Sequence, residues 1–141
     1  SKKTTEAASI LENIPPAAAN LKTRIDSKSL PTIYLVTARA DLAQIEDALA
    51  RFVETAGKVD EFSSSRIKDE NKQLYQNWKS EVDSIKTKLE ALIKENKEKI
   101  KSLENRSIIP RDLEQSKFQI QEAKQLLTRS KELLPEILKF L

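Results

Sequence analysis

Residues 63–106 read SSSRIKDENKQLYQNWKSEVDSIKTKLEALIKENKEKIKSLENR, and the order of the apolar positions in this stretch decides the fold. Leu74, Trp78, Val82, Ile85, Leu89, Leu92 and Ile93, then Ile100 and Leu103, recur at steps of three, four or seven, the repeat of a long helix with one apolar seam. About 43 residues rising 1.5 Å each make a helix of roughly 65 Å, far beyond the usual three turns.

Upstream, residues 32–62 carry a second seam, in which Ala38, Leu42, Ile45, Leu49, Phe52, Ala56 and Val59 alternate steps of four and three. The charged residues Arg39, Asp41, Glu46, Asp47, Arg51, Glu54 and Lys58 fall off that seam, as an amphipathic helix requires. Ser63, Ser64 and Ser65 offer hydroxyls to cap exposed backbone N–H groups, and helical composition resumes at Lys68. So short a connection makes the two helices antiparallel neighbours.

Downstream, residues 105–110 break the chain. Pro110 and Asp112 suit a helix start, proline because its missing N–H is not needed there and aspartate because it faces the positive end of the dipole. From 110 to 140 the seam is Leu113, Ser116, Ile120, Ala123, Leu127, Ser130, Leu134, Ile137 and Leu141, with Phe118, Leu126, Leu133, Leu138 and Phe140 widening it and Pro135 interrupting it. Before residue 32 the pattern is shorter. Ala7, Ile10, Leu11 and Ile14 share one face over 4–14, Pro15 and Pro16 break the helix, and Ala18, Leu21 and Ile25 continue over 16–28 up to a turn at Leu30-Pro31.

Together these elements predict an all-α fold over 1–141, an elongated antiparallel bundle of three to four helices with 63–106 as its spine. By length, 32–62 would lie along roughly the first 28 residues of the spine and 110–140 along roughly its last 30, at about 1.5 Å per residue.

Composition narrows the function. There is no Cys and no His, which removes disulfides, thiol nucleophiles, the usual zinc sites and the commonest general base. The single glycine, Gly57, leaves no material for a phosphate-cradling loop. Adjacent carboxylates at Glu46-Asp47, Asp60-Glu61 and Asp69-Glu70 do not face each other on a helix. No enzyme, cofactor or metal is expected. The 25 basic and 22 acidic residues give +3 in a chain that is 33% charged, a solvated surface more than a nucleic-acid footprint. No apolar run reaches the roughly 18 residues of a membrane span, and no secretory apolar region stands near the start, so a cytoplasmic location is expected. A start at Ser1 rather than Met reads as an excised fragment.

The heptads of Leu42 to Phe62, followed by Ile67, Leu74, Trp78, Val82, Ile85 and Leu89, resemble the second and third helices of a spectrin repeat, the latter with Trp on its seam. LYQNWKSEVDSIKTKL followed by IPRDLEQSKFQIQEAKQLLTRSKELL is similar to the first and second helices of such a repeat. The two alignments compete for Trp78, and the chain departs from the family at Pro15-Pro16 and in lacking a Trp in its first helix. The resemblance covers about 100 residues and rests on heptads and one Trp. It implies a structural or scaffolding unit of a rod-like cytoskeletal or nuclear-envelope protein of the spectrin, dystrophin, plakin or nesprin type. Its partners would be other proteins or neighbouring repeats.

The expected core is Leu42, Ile45, Leu49, Phe52, Leu74, Trp78, Val82, Ile85, Leu89, Ile120, Leu127 and Leu134, with Tyr75 at its rim. Two surface candidates stand beside it. Leu133, Leu134, Ile137, Leu138 and Leu141 have the spacing of a helix that enters a partner's groove, although burial in their own bundle is the plainer reading. Lys94, Lys97, Lys99 and Lys101 are the one local basic excess, the material of an anion- or lipid-binding face. Glu90, Glu95, Glu98 and Glu104 are interleaved with them, which favours an ordinary solvated face. Asn96, near the seam, could set register in a weak homodimer; otherwise the chain is a monomer.

Overall fold

A computed structural model describes residues 31–104 and 110–141, and the described part is helical with no strand. The two short helices expected over 4–28 lie outside the described residues. Helix α1 spans Pro31–Ser64, α2 spans Lys72–Glu104 and α3 spans Pro110–Glu136, each opening or closing near the proline and serine punctuation of the sequence. Pro31 and Pro110 each stand at a first helical position, where no N–H is needed, and Asp112 sits in the first turn of α3.

The interval between α1 and α2 corrects two expectations. The spine does not begin at residue 64: the chain turns at Ser65-Arg66, makes a 3₁₀ turn over Asp69–Asn71, and α2 starts only at Lys72. The serines finish α1 instead of capping α2. The Ser63 carbonyl accepts from the backbone N–H groups of Arg66 and Ile67, both at 2.9 Å, and Ser64 Oγ donates to the Glu61 carbonyl at 3.3 Å. Arg66 secures the corner, donating to the Phe62 carbonyl at 2.7 Å with its guanidinium over the Phe62 ring.

The three helices pack side by side, and the contacts between them fix their directions. Arg39 pairs with Glu104, Glu46 with Lys97 and Asp60 with Tyr75, so α1 and α2 run antiparallel. Trp78 reaches Leu133 and Asn96 reaches Ser116, so α3 runs back along α2. Tyr34 lies by Lys117 and Asp41 by Lys124, so α1 and α3 are parallel. Both flanking helices therefore accompany α2 along most of its length. They do not divide it into halves, as the length-matching had suggested, because α2 is about ten residues shorter than the expected spine.

Most expected core residues lie in the core: Leu42, Ile45, Phe52, Trp78, Ile85, Leu89, Ile120, Leu127 and Leu134 are buried, and Leu49 and Val82 pack against them from its edge. Leu74 does not belong there. It is 41% exposed, while Tyr75, expected at the rim, is 8% exposed. The seam of α2 runs Tyr75, Trp78, Val82, Ile85, Leu89, Leu92, so the step before Trp78 is three and not four. Phe118 is likewise corrected: it is 71% exposed, turned roughly opposite to Ser116 and Ile120 on the seam. In α3 the α-helical turn gives way after Pro135-Glu136 to a 3₁₀ turn, Ile137–Phe140, whose Ile137 is buried.

Candidate functional site

The polar residues inside the bundle are what set its register. Asn96 is 1% exposed, and its amide is used fully within the chain. Nδ2 donates to the Leu92 carbonyl at 2.9 Å and to Gln119 Oε1 at 3.0 Å, while Ser116 Oγ donates to Oδ1 at 2.9 Å. Gln119 continues the chain of bonds by donating to Glu95 at 2.9 Å, and Lys99 donates to Gln115 and Gln119. A slip of one turn between α2 and α3 would break the bonds to Gln119 and Ser116 and leave the buried Asn96 carbonyl oxygen unsatisfied, with only the bond to Leu92 within α2 remaining, at a cost of about 1–3 kcal/mol per unsatisfied group. The same amide that the sequence offered for a dimer seam thus sets register between two helices of one chain.

A second polar bridge ties α1 to α3. Asp41 and Lys124 meet at 3.5 Å with both side chains about 5% exposed. Neither was legible as an interior residue, since Asp41 falls off the α1 seam and Lys124 follows Ala123 on that of α3. The helix heptad that faces α2 is one residue out of step with the face that meets α3, and only the second contact reveals it.

Nearer the turn between α1 and α2, Trp78 is 5% exposed and its indole N–H donates to the Leu133 carbonyl at 2.9 Å. Its ring stacks on Tyr75 with centroids 6.5 Å apart, and the Tyr75 hydroxyl donates to Asp60. Burial first, and then the hydrogen bond to Asp60, push the Tyr75 phenol up to about 12. Burial also raises the phenol of Tyr34. Beside Trp78, Arg129 donates to both oxygens of Glu81 at 2.5 and 2.9 Å and to Glu136 at 2.9 Å. The bond from Arg129 holds the Glu81 carboxyl below the usual carboxylate range.

The surface candidates separate. Leu133, Leu134 and Ile137 are buried in the chain's own core, with Leu138 packed against it and Leu141 half-buried. The four lysines do not share a face. Lys99 bridges to α3, whereas Lys94, Lys97 and Lys101 line the groove between α1 and α2. Glu46, Glu90, Glu98 and Glu104 stand in the same groove, and Glu46 pairs with Lys97 at 2.7 Å. That alternation gives an anion no concentrated positive field.

That groove holds three clefts in a row. Its clefts follow α1 from Arg39 through Ala50 to Asp60, and the widest, lined by Leu49, Ala50 and Ile93 among others, encloses about 540 Å³. Sequence reading missed it, although the signal was present in the small residues Ala43, Ala50 and Gly57, each one position beyond a core residue. Among the described residues there is no group of three or more acidic side chains placed to hold a metal ion, and no helix is long and apolar enough to cross a membrane. Comparison with protein-family models, with curated proteins and with solved structures gave no match for the chain.

Proposed function

We propose that this chain is a non-enzymatic structural unit, a spacer that holds what is attached at its two ends a fixed distance apart. The observation that carries the reading is topological. Three helices make an odd number of passes, so Pro31 enters at the Glu104 end while Phe140 leaves at the other, where its carbonyl accepts from Asn71 at 3.1 Å. The helices between are 34, 33 and 27 residues long, or about 40–50 Å. A unit of this kind can be joined end to end with others, which agrees with the resemblance to spectrin repeats and supports a place in a rod-like cytoskeletal or nuclear-envelope linker protein. The polar layers at Asn96 and at Asp41–Lys124 support it as well, since a spacer needs helices that do not slide.

Spin labels test the spacing in the full chain, which has no native Cys to interfere. Asp47→Cys and Lys131→Cys lie level on the parallel helices α1 and α3, so their dipolar distance distribution should be short and narrow. A broad distribution would remove the spacer reading, because helices that slide cannot hold a distance. Co-sedimentation with anionic vesicles should give no binding; salt-sensitive binding lost with Lys94, Lys97 and Lys101 would favour a membrane-surface role instead.

A further inference from the structure

The chain is held to the bundle differently on the two sides of Pro135. On the near side, Leu133 and Leu134 are buried, the Leu133 carbonyl accepts from the Trp78 indole at 2.9 Å, and Arg129 donates to both oxygens of Glu81 at 2.5 and 2.9 Å. Side chains and backbone alike tie this part of α3 to α2. On the far side, the 3₁₀ turn Ile137–Phe140 buries Ile137, with Leu138 packed at the edge of the core and Lys139 and Phe140 exposed. The Asn71 amide fastens this turn by donating to the Phe140 carbonyl, at 3.1 Å and in an exposed position. Pro135 stands between the two parts. Having no N–H, it offers nothing to the Lys131 carbonyl one turn back, and the ladder of bonds that makes a helix open and close as one is interrupted there.

We propose that residues 137–141 form a strap that leaves the bundle and returns while α1, α2 and α3 stay packed, with Pro135 as its hinge and Arg129 as its stop. Closing the strap fixes the backbone of its residues, and against that loss of entropy stand one buried isoleucine, the edge contact of Leu138 and the exposed bond from Asn71. These opposing terms are of similar size, so the open strap is a populated state. Behind the hinge they are not. Opening the last turn of α3 would uncover Leu133 and Leu134, strip the Trp78 indole of its acceptor and break the Arg129 pairs. Arg129 also reaches past the proline to Glu136, at 2.9 Å, and so fastens the first residue beyond the hinge with the same guanidinium that grips α2. Opening that begins at residue 141 therefore ends at Glu136.

The strap deepens the spacer reading and takes its use from it. Load entering at residue 141 meets the strap before it meets the packed helices, so the exit yields a few residues of slack while the distance set by the bundle is kept. The two can fail separately, because the dipolar distance between residues 47 and 131 is measured wholly on the near side of the hinge.

Hydrogen exchange of the full chain, followed amide by amide, tests it. Lys139 and Phe140 should exchange about 10-fold slower than unprotected chain and at least about 100-fold faster than Leu127, whose amide opens only with the bundle. Asn71→Ala should speed Lys139 and Phe140 about 2–5-fold and leave Leu127 unchanged. The Glu136 amide should be as slow as that of Leu127 in the native protein and join the fast set in Arg129→Gln. Exchange of Lys139 and Phe140 at the unprotected rate, or no faster than Leu127, would overturn the strap, and so would an Asn71→Ala chain in which their rates do not change. A general loss of stability in Arg129→Gln would speed Glu136 and Leu127 by the same factor, and that outcome would overturn the stop.

Discussion

Replacing Trp78 should be the most damaging single change in the bundle, and two variants together show why. An aromatic side chain of this size buries about 150–250 Å², which at about 25 cal/mol per Å² is roughly 4–6 kcal/mol for the whole ring. Trp78 is 5% exposed, so nearly all of that applies, and Ala keeps only its own methyl; Trp78→Ala should cost about 3–5 kcal/mol. Trp78→Phe keeps an aromatic ring but loses the indole N–H that donates to the Leu133 carbonyl, and should cost about 1–2 kcal/mol, most of it the net worth of that bond. Urea unfolding followed by far-ultraviolet circular dichroism measures both, because the signal does not depend on the residue removed. The wild-type Trp emission should be blue-shifted in the native state and move to the red on unfolding. Equal costs for Ala and Phe, or a cost for Ala below about 1 kcal/mol, would refute the placement of this ring in a dry core joined to α3.

Asn96→Leu should destabilise by about 1–3 kcal/mol by leaving Ser116 and Gln119 without their partner, and Asn96→Leu with Ser116→Ala should cost less than the two single changes summed. Light scattering on both proteins should return a monomer, since this amide joins helices of one chain. Gly57→Ala should raise stability by about 0.5–1 kcal/mol in thermal melts, because Gly57 lies within α1 with no positive φ and open space at its Cβ position. Stability should also respond to pH at both extremes. The lowered Glu81 carboxyl contributes stability above the ordinary carboxylate range and loses it as pH falls through the native value, a slope that Glu81→Gln should remove. The Tyr75 phenol, raised to about 12, holds its proton more tightly in the native state, so stability is level below about pH 10 and falls between there and about 12. Tyr75→Phe should lessen that alkaline fall, with Tyr34 supplying what remains.

The long seams were readable because each follows a strict period. Ala38 to Val59 and Leu113 to Ile137 needed nothing beyond spacing, and their residues lie inward as the period requires, with Leu49 and Leu113 at the edge of the core. Leu74 was misplaced because steps of three and four are both helical, and only the alternation through Trp78 and Val82 separates it from Tyr75. The start of α2 was misplaced because Asp69, Glu70 and Asn71 suit a helix and a 3₁₀ turn alike, and the choice between them depends on the corner that Arg66 makes with Phe62. Asp41 and Lys124 were beyond reach for another reason. A buried ion pair between two helices 83 residues apart in the chain leaves no periodic trace in either helix, since each partner taken alone reads as a surface charge.

Single-molecule stretching between residues 31 and 141 tests the central claim most directly, because a spacer must resist load applied at its ends. The account predicts one cooperative rupture of the bundle, releasing the length of about 110 residues at roughly 3.5 Å each less the folded span, or about 340 Å. Extension that grew smoothly with force, with no discrete rupture, would show three helices that slide past one another and would contradict the account.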